Sequence, residues 1–144
     1  MSTTDPYNLA RFLTAQEPCY QQVLNELSAG HKSTHWMWFI FPQFVGLGRS
    51  RTAENFAIKS RQEAEAYLMH PVLGKRLIQC IELVLSHKHK SAENIFGFPD
   101  YLKFKSSLTL FYSVGKEKDL YRNAINTFYH GELDENTRKL LLEN

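Results

Sequence analysis

One aromatic stretch, residues 35–43 with the sequence HWMWFIFPQ, contains the side chains best suited to chemistry in this chain. His35 opens the stretch, and imidazole can act as a general acid or base because its charge changes near neutral pH. Trp38 offers a flat face against which a ring such as adenine can stack. Both have structural alternatives, since His35 also suits a hydrogen-bonded core histidine and the aromatic rings also suit core packing.

A glycine-bearing loop follows directly and supplies Gln43, Gly46, Gly48 and Arg49. Pro42 interrupts any helix and the glycines permit positive φ, so residues 42–50 are predicted to form an irregular loop. Its amides and the arginine guanidinium are suited to holding a phosphate or a carboxylate. The dinucleotide-binding fingerprint is excluded because position 51 is not glycine and no strand signal precedes the loop. The alternative is a tight turn in which Arg49 closes onto a helix end or an acidic side chain.

A second polar group, Asp100, Lys103 and Ser107, lies at the predicted start of a helix. Asp100 is a candidate proton carrier, and the first amides of the helix form a candidate anion site. The alternative is that Asp100 caps the helix beside a solvated lysine. The serines lack a GxSxG or SxxK setting, which argues against nucleophilic catalysis. Arg76, on a long amphipathic segment, completes the predicted binding residues.

Metal binding is not predicted. His31 and His35 are four residues apart, a spacing that places two ligands on one face of a helix. A third ligand and the glutamate of a zincin are missing, so we predict neither a metal site nor a cofactor.

Helices alone are predicted to position these residues. Apolar residues recur at helical spacing, and Ser60, Ser91 and Asp134 stand where helix caps are expected. Gly30 is placed to end the second helix in a left-handed conformation. The helix containing Leu73, Leu77 and Ile81 is predicted to be central. We therefore predict an all-α fold: residues 1–144 form a compact single-domain bundle of about seven or eight short helices around an aromatic-rich irregular segment.

The overall charge limits the classes of partner that are expected. Lysine and arginine number 17 against 15 acidic residues, a net charge of +2 that does not indicate a nucleic-acid or membrane partner. Cys19 and Cys80 lack metal spacing and are expected to be buried, reduced thiols. The N-terminus has no basic region followed by an apolar one, so we expect a cytoplasmic protein. A nucleotide-like small molecule is the expected ligand, and the sequence identifies no protein partner.

Several motifs together resemble the domain-of-unknown-function family 1810. They are residues 5–12 (DPYNLARF), 35–43 (HWMWFIFPQ), 46–50 (GLGRS), 63–77, 95–103 (IFGFPDYLK) and 106–111 (SSLTLF). The resemblance covers nearly the whole chain and implies an all-helical single domain, sometimes labelled calpastatin-like, without an established reaction. A second, weaker likeness is to the NADAR proteins, helical enzymes that act on ADP-ribose linkages. No catalytic residue is transferred from that likeness, which serves only to choose a ligand for testing.

Two hypotheses follow. In the first, the loop and Arg49 hold the phosphate of a nucleotide or ADP-ribose-related ligand, an aromatic ring stacks on its base, and His35 or Asp100 moves a proton in a hydrolytic step. In the second, the protein is a non-catalytic interaction module, and the same polar residues form an internal network. Whether the protein is an enzyme stays open at this point.

Overall fold

Helices occupy most of the chain. The computed structural model describes residues 4–116 and 118–143, so the first residues of the N-terminal segment considered above lie outside the described part. Within these ranges there are ten helices and no strand: α1 (Ala10–Gln16), α2 (Tyr20–Ala29), α3 (Met37–Ile40), α4 (Arg51–Phe56), α5 (Arg61–Met69), α6 (Leu73–Leu85), α7 (Ala92–Phe96), α8 (Asp100–Val114), α9 (Asp119–Tyr129) and α10 (Glu135–Leu142). None of the described helices has the length and apolar character needed to cross a bilayer.

The caps predicted at Ser60, Ser91 and Asp134 form as expected. The hydroxyls of Ser60 and Ser91 and the carboxylate of Asp134 each accept a hydrogen bond from the amide three residues later. Gly30 ends α2 with φ of 73°, in the left-handed region. At α1, the Asp5 carboxylate accepts hydrogen bonds from the amides of Leu9 and Ala10. The hydrogen bonds from Ala10 and Leu9 lower the pKa of Asp5.

The all-α prediction is confirmed, but the described part of the chain has ten helices where about seven or eight were predicted. The aromatic stretch accounts for part of this difference. Residues 37–40 form one short helix, α3, whose amides bond back to the carbonyls of Trp36 and Met37. Pro42 prevents its continuation, and the chain then runs as the predicted loop. An isolated parallel bridge joins Phe44 to Ile58, with Val45 N donating to Ile58 O at 2.9 Å.

The central helix is α8, whereas the sequence pattern favoured α6. Its main packing partners are α5, α7, α9 and α10. Its burial is not evident from the sequence because α8 contains several polar residues. Ser106, Thr109 and Ser113 each donate a hydroxyl hydrogen bond to the carbonyl four residues earlier. Small side chains that satisfy themselves in this way permit close helix packing. The structure thus uses the small, polar row of α8 for packing.

The aromatic stretch reaches the core through Phe41. Its ring lies 4.7 Å from that of Phe104 on α8 and 5.9 Å from that of Phe96 on α7. Phe96 and Phe104 also contact each other at 4.8 Å between ring centroids. These edge-on and tilted contacts are favourable for aromatic rings. The stretch therefore joins the N-terminal helices to α7 and α8 through one shared core.

Both cysteines are free thiols, as predicted. Cys80 is fully buried and Cys19 partly buried. Burial raises the pKa of the Cys80 thiol to about 12. A thiol held protonated in this way is a weak nucleophile, so Cys80 serves packing.

Candidate functional site

A buried carboxylate, Glu26 on α2, organises the segment that leads into the aromatic stretch. It accepts hydrogen bonds from the Ser33 amide at 2.7 Å, the Thr34 amide at 3.0 Å and the Trp36 indole Nε1 at 3.0 Å. The Thr34 hydroxyl and the Gln22 side chain complete the set. Five donors converge on one carboxylate, so its charge is well solvated by the protein itself.

The protonation of Glu26 reflects these contacts. Burial by itself raises the pKa of the carboxyl, but the hydrogen bonds from Thr34, Ser33 and Gln22 outweigh burial and lower the pKa to about 2. Glu26 is therefore an anion throughout the neutral range. Because all its partners are internal, its role is to fix residues 33–36 and with them the start of α3.

Next to this segment, Asp100 lies between two lysines. Its Oδ2 is 2.8 Å from Lys32 Nζ and its Oδ1 is 3.4 Å from Lys103 Nζ. Lys32 lies over the ring of Trp36 at 5.0 Å, and Lys103 lies over the ring of Trp38 at 5.4 Å. Cations placed over aromatic faces are stabilised electrostatically. The structure thus brings three predicted site residues together: Trp38, Asp100 and Lys103.

Asp100 does not cap α8, contrary to one of the two expectations. Pro99 occupies the N-cap position, α8 begins at Asp100, and no side chain caps the helix. The carboxylate is engaged by Lys32 and Lys103, both with mostly buried side chains. The two lysines thus engage the carboxylate that the capping alternative assigned to the helix amides. The contact of Lys32 with Asp100 could not be predicted from the sequence because the two residues lie far apart in the chain.

His35 is exposed and does not belong to the core. The expectation of a hydrogen-bonded core histidine is therefore wrong. Residues 31–36 are not helical, so His31 and His35 do not share a helix face. Among the described residues, no group of three or more His, Cys, Asp or Glu side chains is arranged to hold a metal ion.

The glycine loop is a tight turn. Trp38, Gln43 and Gly48 line a cavity of about 10 Å³, together with Phe44 and Phe56 among others. That volume is close to the space of one water molecule, so no preformed pocket for a phosphate-bearing ligand exists at these residues. Arg49 is exposed at the edge of the turn.

Each glycine of the turn has a structural reason. Gly46 has φ of 101°, which side chains rarely adopt, and it packs against Leu140 of α10. A Cβ on Gly48 would lie 2.5 Å from the Cβ of Ala53. The Ser50 hydroxyl then caps α4 by accepting a hydrogen bond from the Ala53 amide. These contacts support a tight turn for the loop, but among the described residues Arg49 closes onto neither a helix end nor an acidic side chain, which differs from that part of the alternative.

Arg76 and Ser107 have surroundings that do not include the other predicted site residues. Arg76 bonds to Glu17 at 2.8 Å and Gln16 at 3.2 Å, and its guanidinium lies 4.5 Å from the ring centroid of Tyr20. It therefore ties α6 to α1 and α2. Ser107 is 1% exposed, and its hydroxyl has no hydrogen-bond partner in the described part of the chain. At that depth Ser107 has no access to a surface ligand.

Arg11 is a second residue whose role could not be predicted from the sequence. Its five N–H groups find acceptors on three segments of chain: the carbonyls of residues 7, 8, 55 and 57 and the carboxylate of Glu63. The Glu63 contact is 2.6 Å long, and Glu63 is almost fully buried. A guanidinium with every donor used has no capacity left for a ligand. Arg11 and Glu63 both lie within the motifs that carry the family resemblance, and here their role is structural.

The fold and these contacts define a small helical domain in which many motif residues bind one another. A family model described as "Protein of unknown function (DUF1810)" matches residues 6–141, and the chain belongs to this family. It is similar to the conserved hypothetical protein Rv1873 from Mycobacterium tuberculosis, whose crystal structure gives a TM-score of 0.94 at 46% sequence identity. The match covers 96% of this chain and 99% of that one. A comparison with curated proteins finds no match. These findings confirm the predicted family and fold, and they name no reaction.

Proposed function

We propose that the protein binds a small phosphate-bearing ligand, related to a nucleotide or ADP-ribose, at the surface formed by Trp38, Asp100 and Lys103. The observation that carries this proposal is the position of Lys103 Nζ, 5.4 Å from the centroid of the Trp38 ring. Both side chains are partly exposed. A cation therefore lies over one face of a partly exposed aromatic ring, an arrangement that offers an ammonium to a phosphate and an aromatic surface to a ring attached to that phosphate.

The charges at this surface support an anionic ligand. Lys32 and Lys103 share the single carboxylate of Asp100, which leaves one positive charge in excess. Lys103 is the more exposed lysine, with 27% of its side chain accessible against 6% for Lys32, and its contact with Asp100 is the longer one. A weak, partly exposed ion pair is easily exchanged for a contact with phosphate. Lys103 is thus the proposed phosphate contact.

The arrangement favours binding over hydrolysis. A general base must reach the proton of an attacking water molecule. Asp100 directs each of its oxygens at a different lysine, and no hydrogen bond within the described ranges orients the exposed His35. Neither candidate has the partner that would position it as an acid or base. We therefore propose binding and no hydrolysis. The cytoplasmic location stays a prediction.

Calorimetric titration with ADP-ribose, AMP and ribose 5-phosphate tests the proposal. We expect micromolar binding of at least one of the three, weakened about tenfold or more by Lys103→Ala, as for loss of a charged hydrogen bond. Lys105→Ala is a matched control, because Lys105 also lies on α8, over the ring of Tyr129 at 5.9 Å, and pairs with Glu132. Equal effects of the two substitutions, or no heat with any ligand, would refute the proposal. Arg49→Ala measures whether the loop takes part.

A second candidate function, a non-catalytic interaction module, has its own supporting observation. Phe98 is 74% exposed, its ring lies 6.2 Å from that of Tyr101, and Leu102 is 43% exposed. An exposed aromatic cluster of this kind is a feature of binding surfaces. Of the polar residues that this hypothesis places in an internal network, Asp100 and Lys103 contact each other, whereas His35 and Arg49 are exposed. The hypothesis predicts that none of the three ligands produces heat and that Phe98→Ser leaves the unfolding transition unchanged.

A further inference from the structure

Two segments that are distant in sequence run side by side next to the proposed site. The carbonyl oxygen of Ser28 accepts a hydrogen bond from His87 Nε2 at 3.0 Å, and the carbonyl oxygen of Gly30 accepts one from Lys90 Nζ at 3.0 Å. Farther along, the Lys32 amide donates to the Ile95 carbonyl at 2.8 Å. Residues 28–32 and 87–95 are therefore held together in the same chain direction, ending at the lysine that contacts Asp100.

This pairing brings together basic side chains from the two segments, which we call the basic ridge: His31, Lys88, His89 and Lys90. The side chains of His31, Lys88 and His89 are exposed. No acidic residue occurs in residues 27–35 or 86–91. Glu26, just before the first segment, is fully engaged by its five donors, and the nearest carboxylate after the second is Glu93 in the first turn of α7. The ridge thus carries positive charge without carboxylates inside it.

The ridge residues divide into anchored and unanchored side chains. His87 and Lys90 donate hydrogen bonds to carbonyls at the C-terminal end of α2, where the helix dipole favours the ammonium of Lys90. Gly30 makes room for this contact, since a Cβ there would lie 2.9 Å from His87 Nδ1. Lys88 and His89 sit between these anchors, and their side chains make no hydrogen bond or ion pair within the described residues. The ammonium of Lys88 and the imidazole of His89 are therefore available to a ligand at the surface, and the His89 ring lies 6.2 Å from that of His87.

We infer that the basic ridge is a second phosphate subsite and that the ligand is a linear chain of phosphate groups. The inference rests on the proposed function, because Lys32 links the two places: its amide closes the ridge and its ammonium contacts Asp100. Gly30 and Lys32 are two residues apart, a span of at most about 7 Å. The backbone connection between the two places is therefore short, and the ligand that we infer is a chain of phosphates that contacts Lys103 at one end and Lys88 and His89 at the other.

The test compares medium-chain inorganic polyphosphate with orthophosphate and AMP in calorimetric titrations of the full chain. The ridge variant is the double substitution Lys88→Ala and His89→Ala, and Lys75→Ala, an exposed lysine on α6, is the control. Thermal unfolding verifies that each variant is folded. We expect the ridge variant to weaken polyphosphate binding about tenfold and to lower the slope of log affinity against log salt by about 1 or more, because fewer counterions are released. AMP, whose phosphate is assigned to Lys103, should bind the ridge variant as it binds the unsubstituted protein.

The outcomes separate this inference from the proposed function. Unchanged polyphosphate affinity in the ridge variant, or an equal loss in Lys75→Ala, overturns the ridge as a subsite. Absence of polyphosphate binding to the unsubstituted protein overturns it as well. The proposed function is judged separately, by the effect of Lys103→Ala on AMP binding. Nucleotide triphosphates distinguish the source of the chain: tighter binding than inorganic tripolyphosphate indicates that a base is also recognised.

Discussion

Replacing Glu26 by glutamine tests whether this carboxylate holds the aromatic stretch in place. Glutamine has nearly the same shape but offers one oxygen acceptor in place of two, so part of the five-donor set then faces an NH2 group. The pKa of Glu26 falls from 4.5 to about 2, and at about 1.4 kcal/mol per unit this corresponds to about 3 kcal/mol of stability from the charged form. We expect a loss of that order at neutral pH.

The sign of the pH dependence follows from the lowered pKa. A carboxyl with a lower pKa in the folded state contributes stability that is complete above its unfolded pKa and is lost as the pH falls through the folded pKa. The difference between the unsubstituted protein and Glu26→Gln should therefore be largest at neutral pH. It should shrink below about pH 4.5 and fall to less than half by about pH 3.

Urea unfolding, followed by tryptophan fluorescence at several pH values, measures this difference. Glu82→Gln is the control, since Glu82 is exposed on α6 and should change the free energy of unfolding by no more than about 0.5 kcal/mol. A loss below about 1 kcal/mol at neutral pH, or a loss that does not depend on pH, would refute the argument that charge-assisted hydrogen bonds to Glu26 position residues 33–36.

Two further substitutions test the loop and the buried serine. Gly48→Ala should lower the free energy of unfolding by about 1–3 kcal/mol, because the new Cβ meets Ala53 at 2.5 Å. Combined with Ala53→Gly it should cost less than the sum of the two single changes in urea unfolding, and strict additivity would contradict the predicted contact. Ser107→Ala should leave stability unchanged or raise it by up to about 1 kcal/mol, because it removes a buried hydroxyl without a partner. Clear destabilisation in a thermal melt would show that the hydroxyl is bonded.

The helices could be predicted because their signals are local. Ser60, Ser91 and Asp134 cap the helices that they were expected to cap, and Gly30 ends α2 as expected. Such signals lie within four residues of the structure they determine. The four-residue α3 could not be predicted, because an aromatic run has no helical periodicity.

The candidate site could be predicted only in part, because its contacts join distant segments. Trp38, Asp100 and Lys103 are predicted site residues that lie together, but their link to Lys32 could not be predicted from local patterns. Arg76 and Ser107 are predicted at the site from their place in the motifs, and the structure gives them other surroundings. Burial was the missing information: it separates an arginine that holds helices together from one that is available to a ligand.

The contacts of Arg11 also bear on how the chain folds. Its acceptors at residues 55 and 63 are 44 and 52 positions away, so these bonds close long loops. Closing a loop of that length costs chain entropy before any contact compensates for it. The five hydrogen bonds of Arg11 compensate for this loss of entropy only when all three segments are in place. Arg11 therefore couples α1 to the start of α5, and the first helix is expected to gain and lose its structure together with the middle of the chain.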